Sequence, residues 1–266
     1  MYIGGCNLER HWENASRNLP VYQLRQVNAD GNRTTLNNAA LREVIAGENW
    51  DYISFQEVSQ QSGQIAGYQE YLPKLVDYAK TLTTNPDVKF LLHQTWAYAS
   101  DSNHDGFANY DRDQQTMYNA IVGAVWQAKE LTAIDRVIPS GTAIQNARTS
   151  YIGDRFTRDG YHLSLTLGRF TAASAWYESI FGDVVNNTFV PAGFTAYDTQ
   201  MAKTAAAEAV RTPKAVTELT GFAYPEPNEF KLEKPLYIDF GPDMTMGNFN
   251  NFRSPGDMKL SNLRDE

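Results

Sequence analysis

One cysteine, Cys6, in 266 residues rules out an internal disulfide and any metal centre built on cysteine alone. No apolar run approaches the roughly 20 residues needed to cross a bilayer. The opening stretch, MYIGGCNLERHW, lacks the charged start and apolar core of a secretory leader, which speaks only for the chain as given. Basic residues are too few to offset the acidic ones. The net charge of −8 and pI of about 5.1 oppose a polyphosphate partner, so nucleic acid is not expected. No internal repeat or low-complexity tract interrupts the chain. No glycine-rich loop of the phosphate-cradling kind follows an apolar segment, and Ser140-Gly141-Thr142 has neither the lysine nor the spacing of one. That counts against a nucleotide-binding module. Ser102-Asn-His-Asp-Gly106 is polar enough to suggest metal ligands, yet no second cluster stands at a matching spacing. No metal and no cofactor are therefore expected.

What is present reads as an ordinary globular protein, 42% apolar and 20% charged. Aromatic residues are somewhat rich, with fifteen Tyr and five Trp, which serves ordinary packing or sugar stacking. Short apolar segments at 52–58, 88–96 and 136–139 alternate with helical periods at 68–82 and 113–131. This alternation predicts an α/β fold of three layers, with helices on both faces of a parallel sheet. Tyr2–Gly5 reads as a further strand end, and Asn7 as the cap of a following helix. Residues 21–27 and 33–35, around Asp30-Gly31-Asn32, read as a hairpin, and Leu36–Ala46 as a helix. Leu163–Phe181 and Thr199–Leu219 read as later helices. At Tyr224-Pro-Glu-Pro227 the texture changes. The expected division is an α/β domain over 1–222, then a linker and the start of a β-rich segment over 223–266, with a strand at Pro235–Gly241 and a loop at 247–252.

The polar residues that end the strands, Gln56-Glu57 and His93-Gln94-Thr95 among them, lie where parallel sheets gather their sites. Arg158-Asp-Gly-Tyr-His-Leu163 is the most informative stretch. A carboxylate and an imidazole three apart can share one face, Gly160 permits a tight turn, and the carboxylate can orient the ring for proton transfer. The same residues also fit a capping aspartate followed by a surface histidine. His93, Trp96, His11 and Arg148 are candidates for lining a pocket, with packed, capping or surface-paired roles as the ordinary alternatives.

This D-x-x-H stretch resembles the last block of SGNH (GDSL-type) hydrolases. More of the chain resembles one branch of them, the domain of unknown function 4886 family. The matching stretches are Ile3-Gly-Gly-Cys-Asn-Leu-Glu-Arg-His-Trp12, Trp50-Asp-Tyr-Ile-Ser-Phe-Gln56, Ser62-Gly63, His93-Gln-Thr-Trp-Ala-Tyr98 and Ile138 through Arg148. They run in order over roughly 1–182. The resemblance implies a flavodoxin-like sheet and a serine ester hydrolase acting on a carbohydrate-linked or other small ester. His162 would be the general base and Asp159 its orienter. Gly5 would give a backbone oxyanion donor and Gln56 an amide one, at the place where the superfamily usually has asparagine. It further implies an exported bacterial protein. The superfamily's serine follows the first strand, upstream of the glycine block, but only Met1, Tyr2 and Ile3 precede Gly4. Ser54, Ser59 and Ser62 would reverse the block order. The resemblance therefore implies a chain truncated before its serine, with the first, central strand missing, and Tyr2–Gly5 is expected to move inward against 52–58. A non-catalytic glycan-binding protein on the same fold is the alternative.

Overall fold

The structure is a computed structural model describing residues 1–223, 237–239 and 249–251. Contacts divide the chain into two units, 1–223 and 224–266.

In the first unit, a three-stranded parallel sheet is built from β-strands whose local sequences are short and apolar. With the hairpin strands β1 (Tyr22–Val27) and β2 (Arg33–Ala39) counted first, these are β3 (Tyr52–Phe55), β4 (Lys89–His93) and β5 (Arg136–Ile138), in the order β3-β4-β5. Tyr52 to Phe55 pair with Lys89 to Leu92, and Leu91 to His93 with Arg136 to Ile138. Because side chains alternate along a strand, Phe90 and Leu92 point to one face and Leu91 and His93 to the other.

The first face packs on α1 (Leu8–Ser16), α3 (Ile65–Leu82) and α4 (Gln114–Glu130), in a core holding Leu8, Leu72, Val76, Ile121 and Val125. Between α1 and α3, α2 (Leu41–Ala46) is a short turn and a half. On the other side, α5 (Ser140–Arg148), α6 (Leu167–Phe181) and α7 (Ala196–Arg211) pack on one another through Ala143, Ile144, Ala147, Ala172, Ala175, Ala205 and Ala206. Small residues let these three helices approach closely. The architecture is three-layer α/β/α, compatible with the flavodoxin-like class.

Helix starts follow local chemistry. The side chains of Asn7, Asp113 and Thr195 accept the N–H groups of Arg10, Thr116 and Asp198, so each helix has one of its orphan donors satisfied.

Several expectations are corrected. Tyr2–Gly5 is not a strand of the parallel sheet and does not pair with 52–58. Tyr2 makes an isolated antiparallel bridge to Gln23, and Gly4-Gly5 form a turn with Gly5 at φ 62°. The left-handed backbone that glycine permits ends the extended run there. Leu36–Ala46 is not one helix. Residues up to Ala39 complete the hairpin, and the helix proper is only Leu41–Ala46. The helix expected from Leu163 starts at Leu167, since Leu163 is held in a bridge to Thr157. The helix expected to Leu219 ends at Arg211.

In the second unit, β6 (Tyr237–Asp239) and β7 (Phe249–Asn251) pair in parallel. Residues 249–251, expected in a loop, are thus strand, while the rest of 235–241 and 247–252 lies outside the described residues.

Candidate functional site

Asp159 and His162 stand in a loop ahead of α6. The bridge between Thr157 and Leu163, with Arg158 N–H donating to His162 O, pinches its base. Gly160 takes φ 86°, and a Cβ there would press on Ser102 at 2.9–3.0 Å. Asp159 Oδ1 accepts the N–H groups of Tyr161 (3.2 Å) and His162 (2.7 Å), so the backbone fixes the carboxylate. Its other oxygen, Oδ2, lies 2.7 Å from His162 Nδ1. Desolvation pushes the Asp159 pKa up, but the imidazole N–H and the two backbone donors together hold it below the usual carboxylate range. The carboxylate therefore accepts from Nδ1–H, and Nε2 is the free basic nitrogen. His162 is exposed, and the Tyr161 ring lies 4.2 Å from it.

Gln56 and His93 leave the carboxyl ends of neighbouring strands β3 and β4, and His93 Nδ1 meets Gln56 Oε1 at 2.6 Å. The His93 ring packs on Trp96 (6.4 Å between centroids) and on Trp176 of α6 (5.3 Å). Trp96 Nε1–H donates to Tyr161 O at 2.7 Å. A continuous set of contacts thus runs from Gln56 through His93 and Trp96 to the residue before His162. The chain just after Gly5 is tied to the segment that follows β3 through residues 7 and 8. Asn7 Nδ2 donates to Gln61 Oε1 (2.9 Å), and Leu8 N–H donates to Glu57 Oε1 (3.0 Å).

Arg148, a candidate for lining a pocket with a surface pair as its ordinary alternative, turns inward and pairs with a carboxylate there. Its Nε lies 2.7 Å from Asp154 Oδ1, and its other nitrogens donate to Gln145 and to Ala97 O. It is buried, yet still borders a cavity of about 630 Å³ with Gln114, Tyr118 and Lys214. A second, polar cavity of about 340 Å³ lies beside Asp159, lined by Asp101, Asn103, Arg155 and Arg158 among others. His11 is packed, stacked on Tyr22 with its Nδ1 at 2.8 Å from the phenol.

Three serines weighed from the sequence are engaged elsewhere or lie apart from the dyad. Ser59 Oγ meets Tyr98 OH at 2.8 Å, Ser62 Oγ donates to Ser59 O, and Ser54 is exposed on β3. Among the described residues, no serine hydroxyl is hydrogen-bonded to His162. Burial pushes the Cys6 thiol up to about 11, so it is no ready nucleophile either. No group of three or more His, Cys, Asp or Glu among the described residues could hold a metal ion, and no described helix is long and apolar enough to cross a membrane.

Sequence reasoning noted Glu57 only as part of a strand's polar ending and His104 only within a polar turn, and did not single out Trp176. Glu57 is buried under the turn after Gly5, and Trp176 reaches His93 from a helix more than eighty residues away. His104 packs between Tyr98 (4.9 Å) and Tyr161 (4.6 Å). The polar ending of 52–58 hinted at Glu57 and the polar turn 102–106 at His104, though not at its ring contacts; nothing local marks Trp176.

Residues 1–209 match the family described as "Domain of unknown function (DUF4886)". Among solved structures, a DUF4886 family protein from Bacteroides uniformis ATCC 8492 is 47% identical to this chain. It superposes with a TM-score of 0.82 over 84% of this chain and 86% of that one. No curated protein matches.

Proposed function

From the premise that this chain belongs to the DUF4886 family, whose description assigns no activity, we propose that its site is that of an SGNH-type ester hydrolase deacylating a carbohydrate-linked ester. The observation that carries this reading is the 2.7 Å contact between His162 Nδ1 and a carboxylate that two backbone N–H groups hold in place. Such a ring can take a proton at Nε2 from an attacking hydroxyl and return it to the leaving alcohol, while Asp159 stabilises the imidazolium formed between. Gln56 N–H and Gly5 N–H would receive the negative charge on the ester oxygen. One such donor contributes roughly 3 kcal/mol in the transition state.

The nucleophile is the part left to assign, since among the described residues no serine hydroxyl meets His162. The reading assigns it to a serine on a strand lying against the free edge of β3. The terminal position of β3 in its sheet supports this, since such an edge offers unpaired backbone groups to a further strand. The genomic sequence ahead of the first codon tests it. A strand followed by a Gly-x-Ser turn is the expected finding, and its absence overturns this assignment.

Enzymatically, residues 1–266 should hydrolyse p-nitrophenyl acetate little or not at all. A form carrying the serine strand should do so, and should lose roughly three or more orders of magnitude on His162→Ala. Robust hydrolysis by 1–266, lost on changing Ser62 or another internal serine, would show the nucleophile to be misplaced. That no serine hydroxyl among the described residues is bonded to His162 favours a second reading, a glycan-binding protein without turnover. Calorimetric binding of an oligosaccharide by a form that carries the serine but stays inactive would select it.

A further inference from the structure

We infer that His93 is a positioning residue for Gln56, gripping the amide oxygen so that the amide nitrogen faces outward from the carboxyl end of β3 as a fixed donor. The inference rests on the reading of Gln56 as an oxyanion donor and adds how that donor is held.

Register supplies the first part of the argument. Phe55 pairs with Leu92 in parallel, so Gln56 and His93 are the next residues out on adjacent strands and emerge side by side. The 2.6 Å contact joins His93 Nδ1 to Gln56 Oε1.

The tautomer follows from the surroundings. His93 Nε2 is enclosed and has no hydrogen-bond partner among the described residues. A proton there would be an orphan buried donor, which folded proteins avoid more strictly than an under-used acceptor. The single proton of the neutral ring therefore sits on Nδ1, and an N–H facing an amide is satisfied only by the amide's oxygen. Burial holds the ring neutral, lowering its pKa to about 4. Trp96 and Trp176 wall the ring, so it cannot swing away without losing both contacts.

Holding Oε1 fixes the amide plane. The Nε2 hydrogens of Gln56 then point away from His93, and no described acceptor takes them. An exposed glutamine would otherwise spread over many rotamers. A donor aimed before the charge develops is the arrangement that lowers a barrier, because nothing need reorganise during the reaction.

Long-range ¹H–¹⁵N NMR of the intact chain tests this without requiring turnover. His93 should be protonated on Nδ1 and bare on Nε2, the minority form of a free imidazole, at pH 7 and still at pH 5. Gln56→Leu should abolish that preference while the fold persists. An Nε2–H tautomer, or one unchanged by Gln56→Leu, overturns the inference.

Methylphosphonate serves as a tetrahedral oxyanion probe in a second arm. The Gln56 side-chain amide protons should move downfield on titration. The apparent affinity should fall at least tenfold in His93→Leu and be largely restored in His93→Asn, whose amide N–H replaces Nδ1–H. Absence of a shift in the unaltered chain, or equal shifts in His93→Leu, overturns it. If these results hold while the serine-bearing form proves inactive on esters, only the hydrolase reading fails.

Discussion

Glu57 is the residue whose environment departs furthest from what its neighbours in sequence announce. It accepts the N–H groups of Leu8 (3.0 Å) and Val58 (2.6 Å), clasping the start of α1 to the end of β3. Burial outweighs those donors and raises its pKa from 4.5 to about 7. His11 and His93 move the other way, each lowered by burial from 6.5 to about 4. Linkage gives these shifts opposite signs. The folded chain keeps the Glu57 proton that the unfolded chain sheds, so this group's contribution is lost as pH rises from 4.5 to 7. The buried histidines remain neutral where the unfolded chain takes up protons, so theirs is lost as pH falls from 6.5 to 4. Each shift corresponds to about 3 kcal/mol. The two histidines therefore dominate below pH 6.5, and Glu57 dominates just above it. Glu57→Gln, which still accepts both N–H groups, should exceed the unaltered chain by less than about 1 kcal/mol at pH 5 and by about 2–3 kcal/mol at pH 8. Urea midpoints at the two pH values check this, and an equal offset at both would mean that Glu57 does not titrate in this window.

Elements show why some of the architecture could be read from residues and some could not. The strands at 52–55, 89–93 and 136–138 and helices α3 and α4 follow from local pattern, because short apolar runs and 3.6-residue periods persist wherever the faces are buried. The stretch 36–46 misleads because Leu36 and Ala39–Ala40 mimic a helical period. Pairing with 22–27 wins there, through a contact to residues some ten positions back. Leu163 and Leu167, four apart, likewise resemble a helix face, yet Leu163 enters the core from a loop ahead of the helix. The Asp159–His162 spacing was legible as a pair, but its loop setting was not, since the bridge from Thr157 to Leu163 defines it.

Helix α5 carries a sharper demand. A Cβ at Gly141 would stand 1.9 Å from Thr95 O, where the first turn of α5 meets the chain leaving β4. Gly141→Ala should cost about 3 kcal/mol or more. Gly123→Ala, in α4 with nothing within 4 Å of the added carbon, should stabilise by about 0.5–1 kcal/mol. Denaturant midpoints of the pair separate overpacking from a general intolerance of change.

At the scale of the whole molecule, the parallel sheet of the described residues ends at β3, and this divides the amides of one short strand into two populations. Lys89 N–H donates to Asp51 O, so by the alternation of a strand Ile53 and Phe55 turn their backbone groups toward β4, while Tyr52 and Ser54 turn theirs away. Tyr52 and Ser54 are also solvent-exposed. In deuterated buffer the Tyr52 and Ser54 amides should exchange within minutes or faster, while Ile53 and Phe55 persist until β3 itself opens. Mass-resolved exchange should therefore show a strand that labels at every second residue. A chain that covers this edge would convert the alternating record into uniform protection, making four consecutive amides a direct reporter of whether the sheet has gained a neighbour.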